Sequence, residues 1–378
     1  MGLKHKFEYL ESSLEQIRRD NLTRRLRYGK IKGSEIVFKN KTFLNLCSND
    51  YLGIPPSKIQ NSQLQSSSRL VSGNTMDYEK LEKRLASHKS QKRSLIFPTG
   101  YMTNLGVISS LIEKNDLILS DELNHASIIE ASKLTEAKIS IYNHNHMEDL
   151  RTKLKANSKR RFIITEGIFS MDGDLANLKE ITELAEKHDA ILILDDAHGD
   201  FVMGRDGKGT ANHFQVSKKI DVYISSLSKA LGSFGGYVAS NNQVVDFCIN
   251  KSKSFIYTSA LPSSLIKYSL DRINLDQKKY RKRLESNRNR FVKGLKSSGF
   301  NIESKTHIIP IIIGNEKTAM EFGDFIFKNG LFAQPIRYPT VKKNRARLRI
   351  SITSWLSNKQ IDYAIEILEK AAKKYKVI

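Results

Sequence analysis

The chain predicts an α/β fold, with a parallel-rich central sheet, helices on both its faces, and a smaller C-terminal α/β domain. Three observations predict it. Between residues 94 and 236, short apolar runs alternate with helical patterns, as in βα units joined by helical crossovers. Two of these runs, residues 191–194 and 222–224, stop abruptly in polar residues, the mark of strands buried on both faces. The length, 378 residues, exceeds one compact core. The expected division is a helical arm with short strands over 1–47, a large ligand-binding domain over 48–265, and a small domain over 266–378.

The first of the two runs leads into Asp195, Asp196 and His198, and the second into Ser225, Ser226, Ser228 and Lys229, followed by Gly232, Gly235 and Gly236. Ligand sites of open α/β sheets lie beyond the carboxyl ends of strands, so these groups converge on one crevice. A lysine there can form a Schiff base with an aldehyde cofactor. A carboxylate opposite can keep a pyridinium nitrogen protonated. Either residue alone is more often a solvated lysine or an N-cap aspartate; the pair at adjacent strand ends reverses that preference. The phrases DDAHG and SLSKALGSFGG resemble the α-oxoamine synthases, fold type I pyridoxal-phosphate enzymes that join an amino acid to an acyl thioester with loss of carbon dioxide.

Composition narrows the setting. With 39% hydrophobic and 27% charged residues the chain reads as soluble and globular. No apolar run approaches the roughly 20 residues that cross a bilayer, so no membrane association is expected. The first 21 residues lack the apolar core of a secretory signal. Two cysteines, Cys47 and Cys248, offer no disulfide framework and suit a reducing cytoplasm. The net charge of +22 is scattered, with only short clusters at 159–161, 278–283 and 373–376. It reads as compositional bias, with some benefit for an anionic thioester, and not as a nucleic-acid surface.

Taken in order, residues 3–28 carry apolar positions at helical spacing, predicting an amphipathic helix capped at Gly29, with Arg24, Arg25 and Arg27 in its last turn. Residues 36–56 predict a short strand pair and then a loop holding Asn49 and Tyr51. A polar loop over 66–74 precedes a helix over 78–88. A strand over 94–97, the turn Pro98-Thr99-Gly100 and a helix from Tyr101 make an anion site of backbone amides. His125 joins the next strand to its helix. His144 and His146 have metal-like spacing without fitting partners and are assigned to a polar loop. Glu166 and Ser170 fall beyond the strand over 162–165. One long basic helix is expected from 263 to about 298. After it come a strand (307–314), a helix (319–329), a strand containing Arg349, and a final helix from Lys359.

The resemblance implies roles along the whole chain. It assigns Lys229, His125 and Asp195 to catalysis, with His125 flat against the cofactor ring. It assigns Gly100, Tyr101, His125, Ser170, Asp195, His198, Ser226 and Lys229 to pyridoxal 5'-phosphate. Thr258 and Ser259 would reach the cofactor phosphate of a neighbouring subunit, implying a homodimer with shared active sites. Arg25, Asn49, His125, Thr340 and Arg349 would bind substrate, Arg349 through the amino-acid carboxylate. The branch that DDAHG fits best condenses L-alanine with a pimeloyl thioester, of coenzyme A or acyl carrier protein, to 8-amino-7-oxononanoate, a biotin precursor. A glycine C-acetyltransferase or a serine palmitoyltransferase-like reaction is the alternative. Two departures from the family pattern stand out: Asp200-Phe201, expected to alter the acyl pocket, and Trp355, where a histidine is usual.

Overall fold

The computed structural model describes residues 6–20, 22–24, 26–59 and 67–378. Two compact units emerge. The larger comprises Asn49–Ser286 and Lys305–His307; the smaller comprises Met1–Ser48, Asn287–Ser304 and Ile308–Ile378.

The larger unit is built on seven strands: β1 (Arg93–Phe97), β2 (Leu117–Asp121), β3 (Lys138–Tyr142), β4 (Arg161–Glu166), β5 (Ala190–Asp195), β6 (Val222–Ser226) and β7 (Gly236–Ser240). Their spatial order is β1-β7-β6-β5-β4-β2-β3. Strand β7 runs antiparallel to both neighbours, β1 and β6; all other pairs are parallel. The carboxyl ends of β1, β2, β4, β5 and β6 therefore share one edge with the start of β7. Side chains alternate across the sheet. Ile118, Ile164, Ile193 and Ile224 enter a core with Phe97, Val107 and other buried groups, beneath the helices Gly100–Leu111 and Ala126–Lys133. Helices Met76–Lys89 and Leu178–Lys187 pack on strands of the same sheet, and Ser263–Asn274 packs on Met76–Lys89. Each fully buried apolar side chain of this size contributes roughly 1.5–3 kcal/mol.

The smaller unit holds one four-stranded sheet, to which Lys30–Lys32, Glu35–Phe38, Lys41–Asn45 and Leu331–Phe332 contribute, and one three-stranded sheet. In the latter, Ala346–Ser351 lies between Ile308–Gly314 and Pro335–Ile336. Phe38, Phe43, Phe327 and Phe332 form an aromatic cluster. Trp355 packs over the turn at Gly33, where an added Cβ would lie 3.4 Å from its ring, so it serves this fold as a packing residue.

Several expectations are corrected. Among the described residues, the N-terminal helix Glu8–Arg19 stops well short of Gly29 and buries none of its residues. The chain then leaves helical geometry: Thr23 O accepts from Arg337, and the Arg27 guanidinium lies 4.4 Å from the Phe327 ring centroid. Arg24 and Arg27 thus have no helix terminus to stabilise, and Arg25 lies outside the described residues. The long helix over 263–298 is two, Ser263–Asn274 and Lys278–Ser297. The Gln277 amide donates to Arg272 O and stops the first; the Asp276 carboxylate accepts from Lys278 N and starts the second. Strand β3 was not foreseen, since an edge strand with one buried residue carries little apolar signal. Within the supposed polar loop, Arg69–Gly73 forms a π-helical turn. Among the described residues, no helix is long and apolar enough to cross a membrane.

His144 proves to be a clamp. Its Nδ1 lies 2.9 Å from Asp121 at the end of β2, and its Nε2 lies 2.7 Å from Asp174. Burial disfavours the imidazolium, but these two carboxylates outweigh it and push the pKa up to about 10. A folded-state pKa above the ordinary 6.5 gives stability that is full below that value and fades as pH rises towards about 10. His144→Gln is expected to cost roughly 1–3 kcal/mol at about pH 6 and far less near pH 10.5, measured by denaturant unfolding at both. An equal loss at the two pH values would contradict an ion-paired histidine.

Candidate active site

The shared strand edge collects most of the chemistry. Asp195 is the last residue of β5, and Glu166, the last of β4, is its partner in register. Both Asp195 oxygens are fixed: Asn104 Nδ2 donates to Oδ2 at 2.7 Å and Ala197 N to Oδ1 at 3.0 Å. Asn104 stands one turn into the helix that opens at Gly100, and also donates to Ser127 Oγ at 2.9 Å. Asp196 points elsewhere, to Lys89 and Thr210, and is wholly buried. The two adjacent aspartates thus have different partners.

Lys229 lies in the short connection from β6 to the antiparallel β7. That connection closes on itself: Leu227 N bonds Gly235 O, Ser233 N bonds Leu227 O, and Gly232 N bonds Lys229 O. Gly232 has φ of +63°, and an added Cβ there would meet the Arg272 guanidinium at 2.4 Å. Arg272, itself buried, donates to Leu231 O and Ile54 O and so pins the loop from beneath. The Lys229 amine is 2.9 Å from His198 Nε2; His198 Nδ1 is 2.7 Å from the Tyr51 hydroxyl, which donates to Asn49 Oδ1.

His125 caps the helix Ala126–Lys133, its Nδ1 accepting from Ser127 N. Burial first, and then the Lys229 charge, lower its pKa against the pull of Asp195, so it is neutral near pH 7. Glu166 is pushed well above the usual carboxylate range by burial and by Asp195, and its Oε1 is buried with no hydrogen-bond partner. Two acids on paired positions cannot both ionise cheaply. Across the edge, Thr99 caps the helix starting at Gly100, leaving the amides of Gly100 and Tyr101 at its positive end. A Cβ on Gly236 would come within 2.6 Å of Gly100 N, and one on Gly100 within 3.2 Å of Ser226 Cβ. This corner admits glycine because helix, strand and serine approach so closely.

The larger unit therefore brings together Gly100, Tyr101, His125, Asp195, His198, Ser226 and Lys229 at one sheet edge, with Asn49 linked through Tyr51; Ser170 is buried in the connection after β4. Thr258 is half-buried and Ser259 exposed, just after the helix Lys253–Ile256. Arg349 and Thr340 belong to the smaller unit; Arg349 donates to Ser351 Oγ, and Thr340 is exposed in a turn. Asp200 and Phe201, the departure expected to alter the acyl pocket, are buried beside His88, which stacks on the Phe201 ring at 4.7 Å. Sequence reasoning missed Asn104, Ser127, Arg272 and Lys89. Asn104 could have been found four residues past Gly100, on the inward face of its helix; Lys89 ends a charged helix and gives no signal.

This donor set fits pyridoxal 5'-phosphate. It offers a lysine amine, a carboxylate whose oxygens are already oriented, a neutral imidazole, and a helix N-terminus beside a serine hydroxyl for an anion. The aminotransferase class I and II family model matches residues 41–368. The chain is 37% identical to the 8-amino-7-oxononanoate synthase of Thermoanaerobacter pseudethanolicus across the full length of both. It is 36% identical to that of Treponema denticola over 99% of each chain. Among solved structures, a serine palmitoyltransferase from S. paucimobilis with bound pyridoxal phosphate and myriocin superposes with a TM-score of 0.91, at 26% identity and full coverage of both. The 8-amino-7-oxononanoate synthase of Francisella tularensis gives 0.73 at 28% identity, covering 89% of this chain and 99% of that one. The architecture is that of fold type I, the cofactor is pyridoxal phosphate, and the chain belongs to the aminotransferase class I and II family, within its group of 8-amino-7-oxononanoate synthases.

Proposed function

We propose that the chain condenses L-alanine with a pimeloyl thioester, of coenzyme A or acyl carrier protein, to give 8-amino-7-oxononanoate, carbon dioxide and free thiol in biotin biosynthesis. The observation that carries this reading is the Lys229 amine beside His198, on the edge where Asp195 is held by Asn104 and Ala197. The bound cofactor supplies an electron sink for negative charge at the amino acid's Cα.

The chain's own residues do the rest. Lys229 takes the proton from alanine Cα at Nζ, with His198 orienting the amine. Asp195 would face the ring nitrogen, where an opposite charge in a sheltered site favours the protonated form by roughly 1–3 pKa units. Neutral His125 would pack against the cofactor ring. The amides of Gly100 and Tyr101 and the Ser226 hydroxyl bind phosphate, and Ser170 adds a polar contact. Arg349 holds the substrate carboxylate, with Arg25, Asn49 and Thr340 completing the substrate site. Thr258 and Ser259 serve a neighbouring copy's phosphate, so the working form is a homodimer. The working compartment is the cytoplasm, and both thiols suit it: burial pushes Cys47 up to about 11 and Cys248 up to about 12, leaving them unreactive.

The direct test is thiol release by the cofactor-loaded protein with alanine, glycine or serine against acyl thioesters of different length. Alanine with the pimeloyl thioester should be fastest. Faster release with glycine and an acetyl thioester, or with serine and a long-chain one, would favour those branches; amino-group transfer without thiol release would mark an aminotransferase. Asp195→Asn is expected to slow solvent-deuterium exchange at alanine Cα by about a hundredfold or more with little change in melting temperature. Asp196→Asn should act mainly on stability, and the reverse pattern would refute the assignment. Sedimentation at assay concentration should show a dimer; a fully active monomer would remove the shared-site role of Thr258 and Ser259.

A further inference from the structure

A second cluster lies behind the site. Residues 196–200 form a single tight turn, with Gly199 N and Asp200 N both bonding Asp196 O. Asp196 and Asp200, four apart, face the same side, while His198 between them faces the other. The Lys89 ammonium closes this turn from behind. It lies 3.0 Å from Asp196 Oδ2, 2.6 Å from Asp200 Oδ1 and 3.1 Å from Lys208 O, so each of its three hydrogens has an acceptor. The Lys89 side chain is 1% exposed and both carboxylates 0%.

The remaining oxygens are taken up too. Asp196 accepts from Thr210 N and Oγ1; Asp200 accepts from Ser225 Oγ of β6 and the Tyr237 hydroxyl of β7, with His88 Nε2 2.9 Å away. An added Cβ on Gly209 would come within 1.8 Å of Asp196, and one on Gly199 within 2.3 Å, so the turn has no room to slide. The charges favour the same arrangement. Burial opposes the Lys89 ammonium, but the two aspartates hold it charged well above the ordinary range; Lys89 and His88 hold Asp200 well below its own, while burial and Asp200 push Asp196 up to about 6 against the pull of Lys89.

We propose that Lys89 is a positioning residue for His198, acting through Asp196 and Asp200 to fix the turn that sets the imidazole against the Lys229 amine. The proposal rests on reading Lys229 and His198 as working groups of the site. Removing the ammonium leaves two buried carboxylates facing one another without a counter-ion, so the turn opens and His198 leaves its place.

The test is a double-variant cycle of Lys89→Met with His198→Asn, with two readouts. In the cofactor-loaded enzyme, Lys89→Met should lower kcat about tenfold to a hundredfold while KM for alanine changes less than about threefold. The double variant should be no more than about twofold slower than His198→Asn alone, because the two act on one contact. In the cofactor-free full chain, trace acetylation of Lys229 followed by mass spectrometry should give a pH profile in Lys89→Met shifted as it is in His198→Asn. Multiplying losses in kcat, or a wild-type Lys229 profile in Lys89→Met, would overturn the proposal. Should Lys89→Met fail to fold, Asp200→Asn, which keeps the side-chain shape, carries the same comparison. A protein that releases no thiol with any substrate would fail the proposed reaction, while the acetylation profile would still decide the role of Lys89.

Discussion

Strands β5 and β6 pair in parallel, with Asp195 opposite Ile224; β5 ends there and β6 two residues later at Ser226, at the same edge. That pairing sets the distance between a carboxylate at the end of one strand and an amine shortly past the end of the other. Everything around it serves to keep the two loops from relaxing. The antiparallel β7 is the unusual part: a parallel strand would need a long crossover, whereas β7 returns directly and makes a short closed loop possible. Lys229 sits in that loop, pinned by glycines and by Arg272 below.

Burial of charge is the second constraint. The edge and the layer behind it hold Asp195, Asp196, Asp200, Glu166, Lys89, Arg272 and His88, all nearly inaccessible to solvent. Isolated, any of the ionised ones would be costly. They persist because each has a partner or is held back from ionising: burial and Asp195 push Glu166 towards its neutral form, Lys89 faces Asp196 and Asp200, and neutral donors hold Asp195. A network like this adds little net stability compared with an apolar core, but it specifies one arrangement of the loops. The same economy appears at His144, where two carboxylates share one imidazolium and tie the end of β2 to the turn after β4.

The strand and helix signals around the site were largely legible in the sequence. Residues 191–198 and 222–236 gave the two strands, the polar strand ends and the glycine-rich return, because fully buried parallel strands leave an uninterrupted apolar run. The turn Pro98-Thr99-Gly100 before one helix and the junction at His125 before the next were readable as well, since turn chemistry between an apolar strand and an apolar helix is a local signal. Where a signal depends on neighbours distant in sequence, it failed. The amphipathic pattern over residues 3–28 ran past Arg19, because the chain leaves helical geometry to meet Arg337 and Phe327, 300 residues or more away. The basic stretch from 263 showed no break, because one glutamine and one aspartate side chain make it.

The sequence by itself determined the fold class and the strand ends that carry the candidate site, since these follow from local periodicity and turn chemistry. The choice of Asp195 over its neighbour Asp196 came from the resemblance, through the spacing to His198; only the tertiary structure shows what holds the two apart. What separates them is Lys89, brought from another helix to occupy Asp196, and Asn104, brought from a third element to hold Asp195. The same holds for Asp200, which the sequence places next to the site and the structure places behind it. Such choices depend on which charge is buried against which, and that is settled by packing across the sheet.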